Sequence, residues 1–291
     1  MNKRETGEFI FRFYRKRTAS FLANLYKASI TGDAEDIHKA RVDVKKILAL
    51  FRLFEMVSTD YFRSDDHLSL FTDLFNLTGK IREIQVNGLL LIKYGFINPE
   101  ISLYKNSLKA RETRLTKQFL ATVQEFEERE IKKTEIVISH FSKTISQKKL
   151  IETVYNFTRK KGQKIRKLLI SKKTPEHLHK IRQNLKIIGA ILLFTKTIKS
   201  DSKLNKIIPE LLQAEYLIGE WHDRQVFLGS INSFIKSKVK SRNFQVTGLK
   251  REIAIIQDDC LILENQIFPQ VERLISTILD KPAATVSTML R

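Results

Sequence analysis

The chain has 291 residues, 42% of them hydrophobic, with only 10 Gly and 5 Pro. This composition excludes wholesale disorder, and the scarcity of turn residues favours long helices over many short strands. Fifty-two Lys and Arg against 32 Asp and Glu give a formal net charge of +20, which is typical of proteins with a polyanionic partner. Composition alone leaves nucleic acid, an anionic membrane and inorganic polyphosphate open as that partner.

The expected compartment follows from three features of the sequence. A single cysteine, Cys260, excludes an intramolecular disulfide and suits a reducing cytosol. The N-terminal residues MNKRETGEF lack the apolar stretch of a signal peptide. The longest apolar run, Ile187 to Phe194, is too short to span a bilayer. We therefore expect a cytoplasmic protein that does not cross a membrane.

The first predicted element is an aromatic and basic segment, FIFRFYRKRTASFLANLYKA, at residues 9–28. It carries three consecutive cations, Arg15, Lys16 and Arg17. We expect these three side chains to extend a basic surface formed by the helix that follows.

The second element, DAEDIHKARVDVKKILALFRLF at 33–54, is predicted to be an amphipathic helix with Asp33 as its N-cap. Apolar residues recur at steps of three and four, at Ile37, Ala40, Val44, Ile47, Phe51 and Phe54. At 100° per residue, a narrow arc opposite this apolar face holds four candidate phosphate-binding residues, His38, Arg41, Lys45 and Arg52. Lys46 lies off that arc and is an additional candidate.

Two further helical segments are predicted at roughly 64–95 and 98–133. The first contains LTGKIREIQV, where Gly79 within a helical pattern indicates a close helix crossing, because Gly costs about 1 kcal/mol relative to Ala there. We expect Glu83 in the same block to orient nearby basic residues. The acidic run at 125–135 is interpreted as a solvated helix face.

Both blocks then recur, which indicates an internal duplication with a boundary near 135–150. TPEHLHKIRQNLKIIGAILLFT at 174–195 repeats the second element with an offset of 141 positions. LIGEWHDRQV at 217–226 repeats the glycine block with an offset of 140, so we expect a close helix crossing at Gly219 as well, and Asp223 to orient basic residues as Glu83 does. The offset of 141 pairs His38, Lys39, Arg41 and Lys45 with His179, Lys180, Arg182 and Lys186.

The second copy is predicted to have the same elements as the first. An aromatic and basic segment at 152–170 carries the candidate residues Lys160, Lys161 and Lys164. Thr174 is the expected N-cap of the next helix, and Pro175 occupies its favoured first position. The apolar face of that helix is predicted at Leu178, Ile181, Leu185, Ile188 and Leu192, and its basic arc at His179, Arg182, Lys186 and Lys196. Segments near 205–238 and 249–280 complete about four helices per half, which predicts an all-α fold of two packed bundles, 1–140 and 141–291.

A row of such cations suits a repeating anion. The planar fork of Arg grips phosphate oxygens in pairs, and Lys adds a mobile point charge. A histidine near a helix N-terminus can donate a hydrogen bond, and does so more strongly once an anion favours its protonation. A helix with this pattern is therefore expected to contact successive phosphates of one polymer.

The duplicated HxxR…K block, followed by the L-x-G-x-x-x-[DE] block, resembles the CHAD domain, the conserved histidine α-helical domain. The resemblance covers nearly all of residues 1–291. It implies two four-helix bundles related by approximate two-fold symmetry, and binding of inorganic polyphosphate through basic residues on the His-bearing helices and their neighbours. We further expect no cofactor, and the expected cytoplasmic location leaves association with polyphosphate granules as one option. The second copy departs from the first, with Ile187 in place of Lys46 and with His222, not an arginine, before Asp223.

The alternatives to polyphosphate are another polyanion, non-specific binding of nucleic acid and, less favoured, a polyphosphate-processing enzyme. Phosphoryl transfer normally needs a metal held by carboxylates, and the sequence has no Walker-type loop, Cys-x-x-Cys or His-Glu-x-x-His motif. His177 and His179 point about 200° apart on a helix and cannot chelate one metal together. We therefore expect neither catalysis nor a metal site, and the sequence indicates no oligomeric state. A purely structural role also stays open for His38 and His179.

Overall fold

A computed structural model describes residues 2–57, 61–171, 174–199, 202–238 and 247–279, and over these ranges the protein is all-helical, with nine helices and no strand. None of these helices is long and apolar enough to cross a membrane. Their bounds, in chain order, are α1 Lys3–Thr31, α2 Ala34–Val57, α3 Asp65–Tyr94, α4 Pro99–Gln124, α5 Glu128–Ser142, α6 Gln147–Ile170, α7 Pro175–Ile198, α8 Ser202–Lys238 and α9 Thr247–Leu279.

The two His-bearing helices, α2 and α7, begin where the sequence predicts. The Asp33 carboxylate accepts hydrogen bonds from the backbone N–H groups of Glu35 (2.8 Å) and Asp36 (3.2 Å). The Thr174 hydroxyl likewise accepts from the N–H of His177, and the next residue is a proline in the first turn of α7. Both caps satisfy backbone donors that have no partner within the helix.

The apolar faces predicted for these helices are confirmed as core. Every residue of the predicted faces, six on α2 and five on α7, is buried. Burial of one face leaves the opposite face of each helix to carry its charged residues. The basic arcs of α2 and α7, called the basic stripes from here on, therefore lie on helices whose rotation about their own axes is determined by the core.

The single helical segment predicted over 98–133 is wrong, because the chain turns between α4 and α5. The aromatic ring of Phe126, in that turn, packs edge-on against Phe21 of α1, with ring centroids 5.7 Å apart. Helix α5 then packs along α1, where Arg15 and Glu135 form an ion pair of 2.9 Å. Burying the phenyl ring on α1 requires a change of direction that a straight helix would not allow.

The helix contacts place α2 and α7 at the centre of the molecule. In the first half α1 packs on α2, α2 on α3 and α3 on α4, and in the second half α6 packs on α7, α7 on α8 and α8 on α9. Across the halves α2 contacts α7 and α3 contacts α8. Helices α3, α2, α7 and α8 thus form a closed ring in which each contacts the next.

Candidate functional site

Charged side chains of both copies converge where α2 meets α7 within this ring. We name them the central cluster and define it by its basic, acidic and histidine members. The charge of Arg182 influences groups on three different helices, namely Arg41 and Lys45 on α2, Lys186 on α7 and His222 on α8. The members are Arg41, Lys45, Arg82, Arg182 and Lys186, the carboxylates Glu215 and Asp223, and His38, His179 and His222.

The two corresponding lysines, Lys45 and Lys186, lie in the most positive surroundings of the cluster. Desolvation lowers the pKa of Lys45 to about 8, and the charges of Arg41 and Arg182 act in the same direction. Desolvation also lowers the pKa of Lys186 to about 7, helped by Arg182 and Lys45. Mutual repulsion of this kind is relieved by an anion, so the cluster favours binding of negative charge.

Arg41 is held in a fitted position between two residues of α3. Its guanidinium donates a hydrogen bond to the backbone carbonyl of Phe75, and its central carbon lies 3.9 Å from the centre of the Phe75 ring. A methyl group on Gly79 would stand 3.1–3.2 Å from the guanidinium atoms. Gly79 therefore leaves room for Arg41 to lie across α3.

The second copy has an acid where the first has this ring. With the offset of 140, Phe75 corresponds to Glu215 of α8, whose carboxylate lies among Arg182, Lys186 and Lys45. The carboxylate occupies a gap in α7 at Gly189, where a Cβ atom would overlap it. Burial raises the pKa of Glu215 to about 7, although the three cations oppose that shift. The two halves of the cluster therefore differ in charge as well as in shape.

The histidines have separate environments. His38 is half-buried, and desolvation followed by the charges of Arg82 and Lys45 lowers its pKa. His179 is exposed, with its ring 5.3 Å from that of His222 and a 2.9 Å contact between its Nε2 and the Gln183 amide. Burial lowers the pKa of His222 to about 3, so this imidazole is neutral near pH 7.

Three buried polar atoms of the central cluster have no hydrogen-bond partner. They are Nδ1 of His38, Nε of Arg182 and Oε1 of Glu215. Folded proteins leave few such atoms, since each costs about 1–3 kcal/mol. These three atoms, which lie where α2 meets α7, are polar groups that a ligand could satisfy.

The three candidates on α1 and the neighbouring Lys46 lie outside the cluster, and all but Lys16 lie beside acids. Arg17 lies 3.5 Å from the buried carboxylate of Asp43, and Lys46 lies 3.9 Å from the same carboxylate. Arg15 pairs with Glu135, as described above, and Lys16 is exposed. The structure thus places part of the predicted basic surface outside the cluster, where carboxylates already compensate Arg15, Arg17 and Lys46.

A separate basic patch joins the C-terminal part of α2 to α6. The pKa of Lys161 is lowered by desolvation and then by the charges of Lys164, Arg52 and Lys160, so these four cations lie close together. We name them the α6 patch. Lys196 is exposed in the last turn of α7, ten residues beyond Lys186 and hence about 15 Å further along the helix. The predicted site is therefore divided into the central cluster and two flanks. One flank is the α6 patch, and the other consists of the candidates on α1 with Lys46.

Sequence reasoning did not assign four members of the central cluster to the site: Arg82, Glu215, His222 and Asp223. The signal for Glu215 was available in the duplication, because an acid and a glycine (Gly189) replace Phe75 and Leu48 of the first copy. For Glu83, the counterpart of Asp223, the structure shows an exposed side chain whose charge acts on Tyr104 of α4. Of this pair, only Asp223 lies in the cluster.

Comparison with known proteins identifies a family for the chain and a solved structure with a similar fold. The family model of the CHAD domain matches residues 13–232. The crystal structure of the CHAD domain from the plant Ricinus communis has a similar fold, with a TM-score of 0.69 over 96% of this chain and 93% of that chain, at 12% sequence identity. A comparison with curated protein sequences gave no significant match. Since the family model covers well over half of the sequence, the chain belongs to the CHAD domain family.

Proposed function

We propose that the chain binds inorganic polyphosphate, without catalysis, across the central cluster. The observation that carries this proposal is the convergence of the two basic stripes where α2 meets α7, with five Arg and Lys against two carboxylates. Membership of the CHAD family supports the same ligand. The unpartnered Arg182 Nε and the crowded ammonium groups of Lys45 and Lys186 are donors that phosphate oxygens would satisfy.

The spread of the cations favours a polymer over a single phosphate. Arg52 of the α6 patch is eleven residues beyond Arg41 on α2, which is about 16 Å along the helix. An extended phosphate chain lying along α2 would contact the cluster and the patch together. Orthophosphate would occupy only one of these places.

Non-specific nucleic-acid binding is the second candidate, and it is less well supported. Bases need exposed aromatic platforms on which to stack. The described Phe side chains are buried or half-buried, and the exposed tyrosines, Tyr26, Tyr61 and Tyr216, are not members of the central cluster. Polyphosphate has no bases and needs only the row of cations.

The decisive experiment is a binding titration with long-chain polyphosphate, with orthophosphate and single-stranded DNA as competitors at near-physiological salt. We expect tight polyphosphate binding that neither competitor displaces. The double variant Lys45→Met/Lys186→Met removes one cluster charge from each copy, and we expect it to weaken binding at least tenfold.

The matched control is Lys105→Met/Lys109→Met, which removes the same charge from exposed positions of α4, a helix that carries no cluster residue. It should bind like the wild type, and circular dichroism should show the same helix content in all three proteins. Equal loss in both double variants, or preference for DNA over polyphosphate, would demote the protein to a general polyanion binder.

We also propose that residues 1–140 and 141–291 form two four-helix bundles related by approximate two-fold symmetry. The equivalent order of contacts in α1–α4 and α6–α9 supports this arrangement. Helix α5 is additional to that scheme and connects the halves. A cytoplasmic location, with polyphosphate granules as one site of action, belongs to the same proposal.

A further inference from the structure

We propose that Glu215 is an internal counter-ion of the central cluster and makes ligand binding proton-coupled: its carboxylate takes up a proton when a phosphate polymer occupies the cluster. This inference rests on the proposed function for the identity of its ligand. It concerns a residue that the basic stripe does not predict and that has no acidic counterpart in the first copy.

The position of Glu215 is built into the fold. Its carboxylate lies against the backbone of α7 at Gly189, where any larger residue would collide with it, and beside Leu211 of its own helix. Oxygen Oε1 is buried and has no hydrogen-bond partner. A buried carboxylate without full hydrogen bonding is held by its surroundings at an energetic cost, and that cost is lowest in the protonated form.

Comparison of the two copies shows that the acid and the small residue opposite it differ together from their counterparts in the first copy. In the first copy the corresponding positions hold Phe75, over which Arg41 lies, and Leu48 on α2. In the second copy a carboxylate replaces the phenyl ring and Gly189 replaces the leucine. The small residue and the acid occur together, so the second copy has a fitted place for one negative charge next to Arg182.

The charges that face Glu215 come from both central helices. Arg182 and Lys186 face it from α7 and Lys45 faces it from α2, while Asp223 shares its helix two turns further on. Within this group, burial raises the pKa of Glu215 to about 7. Desolvation by the packed helices, together with neighbouring cations, lowers the pKa of the half-buried Lys186 to about 7 and that of Lys45, which is more exposed, to about 8.

A polyanion bound among these groups shifts the protonation equilibria of Glu215, Lys45 and Lys186 toward their protonated forms. Added negative charge disfavours the carboxylate form of Glu215 and favours the ammonium forms of Lys45 and Lys186, so each of the three pKa values rises on binding. Protons are therefore taken up from solution near pH 7, and affinity falls as the pH rises from 6 to 9. The share due to Glu215 is separable, because Glu215→Gln removes it and leaves both lysines in place.

The test is calorimetric titration of the full chain with long-chain polyphosphate at pH 6 and pH 8, each in two buffers of different ionisation enthalpy. The dependence of the observed heat on the buffer gives the number of protons taken up. Glu215→Gln is compared with Glu210→Gln, which removes the same charge from an exposed position of the same helix. At pH 8 we expect Glu215→Gln to bind about fivefold more tightly than the wild type, which corresponds to a ligand-induced rise of about one unit in a Glu215 pKa that is about 7 in the free protein. At pH 6 the gain should be less than about twofold, and proton uptake at pH 8 should be smaller than in the wild type and in Glu210→Gln.

The outcomes separate this inference from the proposed function. If the wild type binds polyphosphate, and Glu215→Gln binds it with the same affinity and the same proton uptake as the wild type, the role of Glu215 is overturned. The polymer site itself would then stand. Failure of the wild type to bind polyphosphate would overturn the proposed function, and with it the ligand coupling.

A ligand-free measurement tests the carboxyl group by itself. Since its folded-state pKa is raised, Glu215 contributes stability that is present below its unfolded pKa and is lost as the pH rises through about 7. The unfolding free energy of Glu215→Gln relative to the wild type should therefore increase between pH 5 and pH 8. A difference that stays constant over this range would contradict the inference whatever the ligand does.

Discussion

At the scale of single residues, two equivalent glycines have different surroundings. Gly79 on α3 lies under the guanidinium of Arg41, whereas Gly219 on α8 has no atom within 4 Å of where a Cβ would stand. The sequence predicts a close approach at both, since both interrupt a helical pattern. Only the first approach exists, because Glu215 and not an aromatic ring precedes Gly219 by one turn, and Arg182 lies among carboxylates instead of across the helix.

Alanine at each glycine should therefore have different consequences. Gly219→Ala is expected to stabilise the protein by about 0.5–1 kcal/mol, the usual gain for alanine over glycine within a helix. Gly79→Ala should gain less or lose stability, and should weaken polyphosphate binding several-fold, because a methyl group 3.1–3.2 Å from the guanidinium displaces Arg41. Denaturant unfolding and binding titration of both variants provide the check. Equal stabilisation with unchanged affinity in both would mean that Gly79 does not position Arg41.

At the scale of helices, a polar network around the buried Arg224 connects the first half to the second. The Tyr94 hydroxyl, at the end of α3, contacts Asp259 of α9 at 2.5 Å and accepts a hydrogen bond from Nε of Arg224 at 2.8 Å. Arg224 is buried on α8 and also donates to the backbone carbonyl of Glu220 at 2.8 Å. Through Tyr94, this arginine helps to fix α3 against α8 on one side of the helix ring.

Removal of one oxygen atom tests this network. Tyr94→Phe leaves the buried Arg224 short of a partner and is expected to destabilise the protein by about 1–2 kcal/mol. Polyphosphate affinity of the folded variant should change less than twofold, since neither Tyr94 nor Arg224 belongs to the central cluster. Tyr26→Phe, at a side chain that is 70% exposed, is the control and should be neutral. Equal stability of the two variants would show that the hydroxyl does not hold α3 to α8.

The helices themselves could be predicted well where one face is apolar. The N-caps Asp33 and Thr174 and the buried faces of α2 and α7 follow from periodicity, because the core determines them locally. The break between α4 and α5 could not be predicted, since it depends on contact between Phe126 and Phe21, more than a hundred residues away. The two stripes face each other because α2 contacts α7, and this contact between distant segments could not be predicted from local sequence patterns either.

At the scale of the whole molecule, the net charge of +20 predicts a strong dependence of binding on salt. Each phosphate neutralised by a cation releases a condensed counterion, so the logarithm of affinity falls with the logarithm of salt concentration. Removal of one contacting cation reduces the magnitude of that slope by about one. The flanking cations that pair with acids should contribute less to the slope than those of the cluster.

This gives a measurement that distinguishes contact from general charge. We expect the polyphosphate salt slope of Lys45→Met/Lys186→Met to be smaller than that of the wild type by about two. The α4 control, Lys105→Met/Lys109→Met, has the same net charge and should keep the wild-type slope. Titrations between 50 and about 300 mM salt would measure both slopes. The same reduction in the two variants would mean that the polymer responds to total charge and not to the central cluster.

The contact between α2 and α7 has a consequence for how the two halves stay together. Each of the two central helices brings its own cations to the boundary between them. Without a ligand, the like charges of Arg41, Lys45, Arg182 and Lys186 repel across this boundary, and apolar contacts such as that between Phe13 and Phe194 oppose the repulsion. A phosphate chain lying between the stripes would turn that repulsion into attraction from both sides. The bound polymer would then stabilise the association of the two halves, in addition to being carried on the surface of the protein.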